Sequence, residues 1–191
     1  PLTNDIAQAE ELVAVAQQTG CALHVGHVER FNGAIQELKK LINKPLFIES
    51  HRMGPFNPRV QNDSVVLDLM IHDLDLVLAL VDAPVKHITA HGTKVHSASC
   101  DIATVQLTFA NGTIASLTAS RASHIKKRTM AVHQQTEFMH LDFGTQDLTI
   151  HRHTSSSVQV GTDQLKYRQE GTVEHVFVYK DNPLKLEIEH F

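Results

Sequence analysis

The most apolar segment of the chain covers residues 64–81 and reads SVVLDLMIHDLDLVLALV. Its apolar residues surround most of a helical circumference, which predicts a largely buried helix. At about 100° per residue, Asp68, His72 and Asp75 nevertheless share one narrow side, which we call the polar stripe. Asp73 points to a different side. Because a buried carboxylate is costly unless it is paired or hydrogen-bonded, the polar stripe needs a physical explanation.

The segments before this helix predict helices alternating with strands. A helix begins after cap candidates at residues 3–5 and stops at Gly20, and the apolar residues 21–28 predict a short buried strand. An amphipathic helix is expected over residues 29–44, followed by a strand over residues 46–53. A loop rich in proline, glycine and asparagine then leads to a cap at Asp63 or Ser64.

After Pro84 the pattern becomes that of β-strands. Asn111 and Gly112 separate two alternating runs, which predicts a tight hairpin. The polar residues 153–171 predict a long loop or a mobile hairpin, and residues 172–180 a last strand. Helices followed by strands predict an α+β fold, in which helices pack on one face of a mostly antiparallel sheet.

Composition narrows the class of protein. The chain has 191 residues, 42% of them hydrophobic, and a formal net charge of −4. The basic residues are scattered apart from Lys126 to Arg128, so no nucleic-acid partner is expected. The sequence shows neither a leader nor a membrane span, and its two cysteines suggest no disulfide framework, so we expect a cytoplasmic protein. Because the chain begins with Pro1 rather than Met and its last predicted helix has no terminating residue, we expect a fragment of a longer protein.

Two explanations of the polar stripe remain open from the residues alone. In the structural one, Asp68 and His72 form a pair one turn apart on a partly wet face, and Asp75 faces solvent. In the functional one, the stripe lines a cleft where Asp68 orients His72, which exchanges a proton with a substrate. No metal site is expected, because the histidine pairs at residues 24/27 and 151/153 lack a third ligand.

Three segments in a specific order carry a resemblance to a known family. They read GHVERFN (residues 26–32), HRMGPFNPR (residues 51–59) and VVLDLMIHDLDLVLAL (residues 65–80). This combination resembles the Gfo/Idh/MocA oxidoreductases, which are NAD(P)-dependent dehydrogenases of sugars and polyols. The sequences of these segments are most similar to those of family members that act on nucleotide-linked amino sugars.

The resemblance implies roles for the polar stripe. His72 would be the general acid/base on the carbinol whose hydride moves to the nicotinamide. Asp68 would position His72 or share its proton, and Asp75 would hydrogen-bond a substrate hydroxyl. These three residues match the family motif Asp-x-x-x-His-x-x-Asp.

The resemblance also implies contacts outside this helix. Arg30 would lie near the nicotinamide or the substrate, and Pro1 matches the final proline of the family's Glu-Lys-Pro motif, so both are expected at the cofactor. Arg52 and Arg59, together with His51, flank the loop before the helix. The two arginines are expected to bind substrate, although an ordinary ion pair or a solvated loop explains them equally well.

Three departures from the family pattern limit the activity expected of this chain. The lysine before the proline is absent, no G-x-G-x-x-G occurs, and Gly33 replaces the usual proline. We therefore interpret residues 1–28 as the trailing helix and strand of a dinucleotide-binding Rossmann domain. Residues 29–191 would be a substrate-binding and oligomerisation domain, truncated at its C-terminal helix.

The resulting functional interpretation is a fragment of a dehydrogenase. The full-length protein would use NAD or NADP to oxidise a secondary hydroxyl of a sugar, polyol or nucleotide-linked sugar, and would form a homo-oligomer through the open sheet face. The fragment itself is not expected to bind the dinucleotide. The alternative is a non-catalytic sugar-binding or oligomerisation module.

Overall fold

The computed structural model describes residues 2–3, 5–58, 63–160 and 165–191, with side chains described except for those of residues 153–170. The helices are α1 (Ile6–Thr19), α2 (Gly33–Leu41), α3 (Ile71–Leu80) and α4 (Pro183–His190). A 3-10 turn at Val28–Phe31 precedes α2, and a π-helical segment at Val66–Met70 precedes α3. The strands are β1 (Phe47–Met53), β2 (Val85–Thr93), β3 (Ile102–Phe109), β4 (Ile114–Ser120), β5 (Lys127–His133), β6 (Glu137–Asp142), β7 (Asp147–Val160) and β8 (Leu165–His175).

The strands form one sheet in the order β2-β3-β4-β1-β5-β6-β7-β8. β1 pairs parallel with β4, and the other neighbours pair antiparallel. One sheet face and the helices α2 and α3 contribute the buried core, which includes Ile35, Leu38, Ile48, Leu76, Val77, Phe109, Leu117, Met130, Met139, Leu141, Leu148 and Ile150. The predicted α+β fold is confirmed.

The hairpin prediction is confirmed in detail. β3 and β4 pair around Asn111 and Gly112, and Gly112 has a φ of +89°, a conformation that glycine adopts at little cost. The Asn111 side-chain oxygen accepts a hydrogen bond from the Thr113 amide at 3.1 Å. Leu107 and Phe109 are buried on the core face of β3, as their alternation predicted.

The first helix is confirmed, but the strand predicted after it is wrong. The Asp5 side chain caps α1 by accepting a hydrogen bond from the Ala7 amide at 2.7 Å, and Gly20 ends the helix with a φ of +67°. Residues 21–27 have no regular structure. A strand needs a neighbour to satisfy its backbone groups, and none of the described strands pairs with these residues. α1 likewise buries none of its side chains.

Two other predicted boundaries move. The helix expected over residues 29–44 is α2, which begins at Gly33 because Asn32 caps it through the Ala34 amide at 3.1 Å. The last strand expected over residues 172–180 is β8, which ends at His175 and pairs with β7. The polar residues 153–171, predicted as a long loop or a mobile hairpin, therefore contribute to both β7 and β8. Residues 161–164 lie outside the described residues. In the described part of the chain, no helix is long and apolar enough to cross a membrane.

Candidate active site

The helix that carries the polar stripe has two parts with different geometry. Ser64 acts as the predicted cap, since its hydroxyl oxygen accepts a hydrogen bond from the Val66 amide at 3.1 Å. The next turn is π-helical, and the Ile71 amide bonds to the Val66 carbonyl. Asp68 lies in this wider turn, and the rest of the polar stripe lies in α3. Single π-helical turns are common at functional sites.

Asp75 is held by a bidentate ion pair with Arg30. The Nε of Arg30 donates to Oδ2 of Asp75 at 2.6 Å, and its Nη2 donates to Oδ1. His27 lies close by, with its Nε2 at 3.7 Å from the same Oδ1. The hydrogen bond that Arg30 donates to Asp75 raises the pKa of Arg30 above its ordinary value. The Asp75 side chain is 11% exposed and that of Arg30 is 51% exposed, so the pair stays within reach of solvent.

A second arginine and aspartate pair, Arg52 and Asp73, lies on a different side of the helix from the polar stripe. Arg52 donates to Asp73 through Nη2 at 2.8 Å and Nε at 3.1 Å, and to Glu29 through Nη1 at 2.9 Å. Both members of the Arg52 and Asp73 pair are only 3% exposed. Burial lowers the pKa of Arg52, but the charges of Asp73 and Glu29 outweigh it and raise that pKa. Asp73 thus occupies its own environment, as its position on the helix predicted.

His72 lies on α3, on the same helix as the aspartates of these two ion pairs. Its side chain is half-buried, and its Nδ1 is buried with no hydrogen-bond partner among the described residues. Burial lowers the pKa of His72, and the positive charge of Arg52 lowers it further, while Glu29 acts in the opposite direction. The imidazole is therefore neutral at pH 7. The described residues contain no hydrogen bond between Asp68 and His72, so the predicted pair is not formed in this structure.

Asp68 instead faces a cavity of about 270 Å³ at the end of the polar stripe. The cavity is lined by Arg52, Met53, Gly54, Pro55, Asn57, Asp68, Leu69, Arg121, Lys126 and Arg128. Two of its basic side chains, Arg52 and Arg128, lie on the neighbouring strands β1 and β5, and the other two, Arg121 and Lys126, lie in the segment that joins β4 to β5. We call this space the basic cavity.

The structure brings some predicted site residues together and separates others. Arg52 lines the basic cavity, but its guanidinium is already bound by carboxylates, which gives it a structural role whether or not it also contacts substrate. His51 precedes Arg52 on β1 and faces the opposite side of the sheet, because neighbours on a strand alternate. Its Nε2 forms a hydrogen bond with Oε1 of Glu49 at 2.9 Å. Arg59 and Pro1 lie outside the described residues.

Sequence reasoning missed two residues around His72, and it also missed the ion pair between Arg52 and Asp73. Glu29 and His27 lie in the GHVERFN segment, which was singled out for Arg30 alone. Asp73 was recognised as separate, but its arginine partner was not. A signal existed, because a buried aspartate on an apolar helix requires a cation, and Arg52 alternates with core positions on its strand. Among the described residues, no group of three or more His, Cys, Asp or Glu side chains is placed to hold a metal ion.

Comparison with known proteins places the fold and this helix in a family. The family described as the GFO/IDH/MocA C-terminal domain matches residues 36–139, which include β1, the polar stripe and the strands from β2 to β6, up to Met139. The chain belongs to the Gfo/Idh/MocA family. This result confirms the family inferred from the three sequence segments.

Individual relatives sharpen this assignment. The chain is 36% identical over 159 residues to UDP-N-acetylglucosamine 3-dehydrogenase of Acidithiobacillus ferrooxidans, a match that covers 83% of this chain and 51% of that protein. A solved structure of that enzyme, GnnA, has a TM-score of 0.82 and 34% identity, and the match covers 99% of this chain and 58% of the other. Over 138 residues the chain is 23% identical to scyllo-inositol 2-dehydrogenase (NAD(+)) of Bacillus subtilis, covering 64% of this chain and 40% of that protein. The Gfo/Idh/MocA chain thus spans about half the length of the curated relatives it matches.

Proposed function

We propose that this chain supplies the proton-transfer and substrate-binding part of an NAD(P)-dependent dehydrogenase that oxidises a secondary hydroxyl of a nucleotide-linked sugar. The observation that carries the proposal is His72, a half-buried imidazole with an unpaired Nδ1, set between an accessible ion pair and a basic cavity on one helix. The similarity to UDP-N-acetylglucosamine 3-dehydrogenase supports the nucleotide-sugar class of substrate.

His72 is assigned the role of general base. The lowered pKa keeps the imidazole neutral at pH 7, so it can accept the proton of a substrate hydroxyl. Nδ1 is buried, which leaves Nε2 as the ring nitrogen that meets the substrate. Because burial and the positive charge of Arg52 both disfavour the imidazolium, the accepted proton is readily passed on to water.

The acids on either side are assigned to positioning the sugar. The Asp75 carboxylate, fixed by Arg30, accepts a hydrogen bond from a second sugar hydroxyl. Asp68 faces the basic cavity one turn earlier and positions the substrate at that end. The role first assigned to Asp68 was to position His72 or to share its proton, and neither version has a hydrogen bond in this structure to support it.

Among the described residues, Arg30 is the candidate for contact with a dinucleotide. Its guanidinium is half exposed and permanently charged, so one edge can bind Asp75 while another meets an amide or phosphate oxygen. NAD or NADP, when bound beside Arg30, would supply the acceptor for the hydride of the carbinol carbon. The name of the scyllo-inositol relative, which specifies NAD(+), supports this class of cofactor.

The test is a His72→Ala substitution in the full-length protein, assayed with UDP-N-acetylglucosamine and NAD or NADP. Loss of a general base should lower kcat about 10²- to 10⁴-fold with little change in KM. His51→Ala is the matched control, because it removes an imidazole from the opposite sheet face and should leave kcat unchanged. Equal turnover by His72→Ala and the parent enzyme would favour the non-catalytic module instead.

We also propose that the full-length protein assembles through the open sheet face. Rings on this face form a ladder across β1, β5, β6 and β7, with Phe47, His133, Phe138 and His151 spaced at 4.7 to 5.7 Å between centroids. Ring pairs of this kind are favoured in interfaces. Replacing Phe138 with Lys should reduce the oligomer measured by light scattering, and an unchanged mass would rule out this face.

A further inference from the structure

Arg52 and Arg128 lie directly opposite each other on β1 and β5, on the sheet face that α3 covers. Like charges directly opposite on paired strands are destabilising. Asp73 and Glu29 neutralise Arg52, but Arg128 forms no ion pair with any described residue. Features that break a local rule without compensation concentrate at functional sites. The charge of Arg128, which is partly exposed and unpaired among the described residues, is therefore available to a ligand.

Of the other two cations of the basic cavity, one is already paired within the protein and the other is not. Arg121 is committed, because its Nε donates to Asp101 at 2.7 Å and its Nη2 donates to the Ser97 hydroxyl at 3.0 Å. Lys126 is exposed and, like Arg128, has no ion-pair partner among the described residues. The cavity thus offers two uncommitted cations against a single carboxylate, that of Asp68.

The arrangement of these charges fits a ligand with two chemical ends. Asp68 lies on the helix side of the cavity and can accept hydrogen bonds from sugar hydroxyls. The two cations lie on the strand side, where phosphoryl oxygens can receive charge-assisted hydrogen bonds. A free phosphate would use only the second set. A sugar joined to a phosphate group uses both.

Position and size support the same ligand. Asp68 precedes His72 by one turn, and at ~1.5 Å per residue the cavity begins ~6 Å along the helix from the imidazole. Its volume of about 270 Å³ is small beside the roughly 300–1,000 Å³ of typical ligand pockets. It can hold a diphosphate but not a whole nucleotide sugar, whose nucleoside would extend beyond it.

We infer that Lys126 and Arg128 bind the diphosphate of the substrate and select nucleotide-linked sugars over free sugars. This inference rests on the proposed function, since it takes His72 as the position of the sugar. The contribution is one of binding: the diphosphate is bound equally in the ground state and the transition state, so its loss raises KM and leaves kcat unchanged.

The test uses the full-length protein with Lys126→Gln and Arg128→Gln, and Lys127→Gln as the matched control. Lys127 carries the same charge but, as the neighbour of Arg128 on β5, it faces the opposite side of the sheet. Binding of UDP is measured by calorimetry at low salt, independently of turnover. Each cavity variant should weaken UDP binding about 10-fold, the size expected for one charge-assisted hydrogen bond, and Lys127→Gln should not.

Kinetics give a second measurement. KM for UDP-N-acetylglucosamine should rise about 10-fold in each cavity variant, whereas turnover of N-acetylglucosamine, however slow, should not change. Arg128→Lys should recover part of the lost UDP affinity, and unchanged thermal midpoints would show that the variants remain folded.

The outcomes separate this inference from the proposed function. UDP binding that is equal in the parent and both cavity variants would overturn the inference and leave the dehydrogenase intact. A parent that binds UDP through these residues but oxidises no nucleotide sugar would overturn the function and leave the diphosphate site. A parent that does not bind UDP at all would overturn the inference directly.

Discussion

Two arginine and aspartate pairs lie on the same helix, two residues apart, in contrasting environments. Arg52 and Asp73 are buried to 3% exposure on each side, whereas Arg30 is 51% exposed and its partner Asp75 is 11% exposed. Both pairs are bidentate. The difference in burial means that only the Arg30 pair can exchange its hydrogen bonds with a ligand, and the Arg52 pair must stay intact for the helix to pack.

The contrast shows why the same chemical motif serves two purposes here. A buried ion pair recovers little more than its own desolvation cost, but breaking it leaves an unpaired charge in the core. An exposed pair contributes little to stability and remains free to rearrange. His72 lies on the same helix as both aspartates. Burial and the charge of Arg52 lower the pKa of His72, while the exposed pair is available to orient its substrate.

The largest expected effect comes from breaking the buried pair. Arg52→Met leaves Asp73 charged and unpaired in the core, so the free energy of unfolding should fall by about 3–5 kcal/mol. Urea denaturation of the full-length protein, followed by circular dichroism, measures this change.

The control is the double substitution of Arg52→Met with Asp73→Leu, which removes both charges and should recover much of the lost stability. If Arg52→Met alone lowered the free energy of unfolding by well under about 1 kcal/mol, the buried pair would contribute no more than the exposed pair. The contrast between the two pairs would then be wrong.

Breaking the exposed pair should have a smaller effect on stability and a distinct effect on activity. Arg30→Gln should change the free energy of unfolding by no more than about 1 kcal/mol, because the Arg30 side chain is half exposed to solvent. It should raise KM about 10-fold through loss of the fixed Asp75 carboxylate. Steady-state kinetics and urea denaturation on the same preparation check both parts. A variant that unfolds as readily as Arg52→Met would contradict the assigned burial.

The smallest effect sharpens the link between the buried pair and His72. Glu29 raises the pKa of His72, so Glu29→Gln should lower that pKa further. Oxidation needs the neutral imidazole, and kcat/KM falls as pH drops through this pKa. The acid limb of the pH profile should therefore move to lower pH. Glu37→Gln, which removes a partly exposed carboxylate paired with Lys40 on α2, should leave it in place, and a shift to higher pH in Glu29→Gln would refute the assignment.

The elements that sequence predicted best have strong local signals. The hairpin at Asn111 and Gly112 depends on one turn type, and the helix over residues 64–81 on a sustained apolar pattern. The polar stripe followed from the same periodicity. Its members were identified as a group because spacing on a helix is fixed by geometry, whatever surrounds it.

The parts that failed depend on partners far away in sequence. Residues 21–28 have the composition of a buried strand, but no described strand pairs with them. The π-helical turn at Val66–Met70 leaves no mark in the apolar pattern. The missing bond between Asp68 and His72, and the capture of Arg52 by Asp73 and Glu29, follow from packing between a strand and two other segments. Periodicity within one segment carries no information about such contacts.

The parallel pairing of β1 with β4 has a consequence for assembly of the molecule. β4 and β5 are consecutive in the chain but lie on either side of β1, so residues 121–126 must bridge over the end of that central strand. This bridge carries Arg121 and Lys126. Until β1 is inserted between its neighbours, the bridge has nothing beneath it, and such non-local contacts form slowly during folding. The binding surface is therefore complete only once β1 lies between β4 and β5.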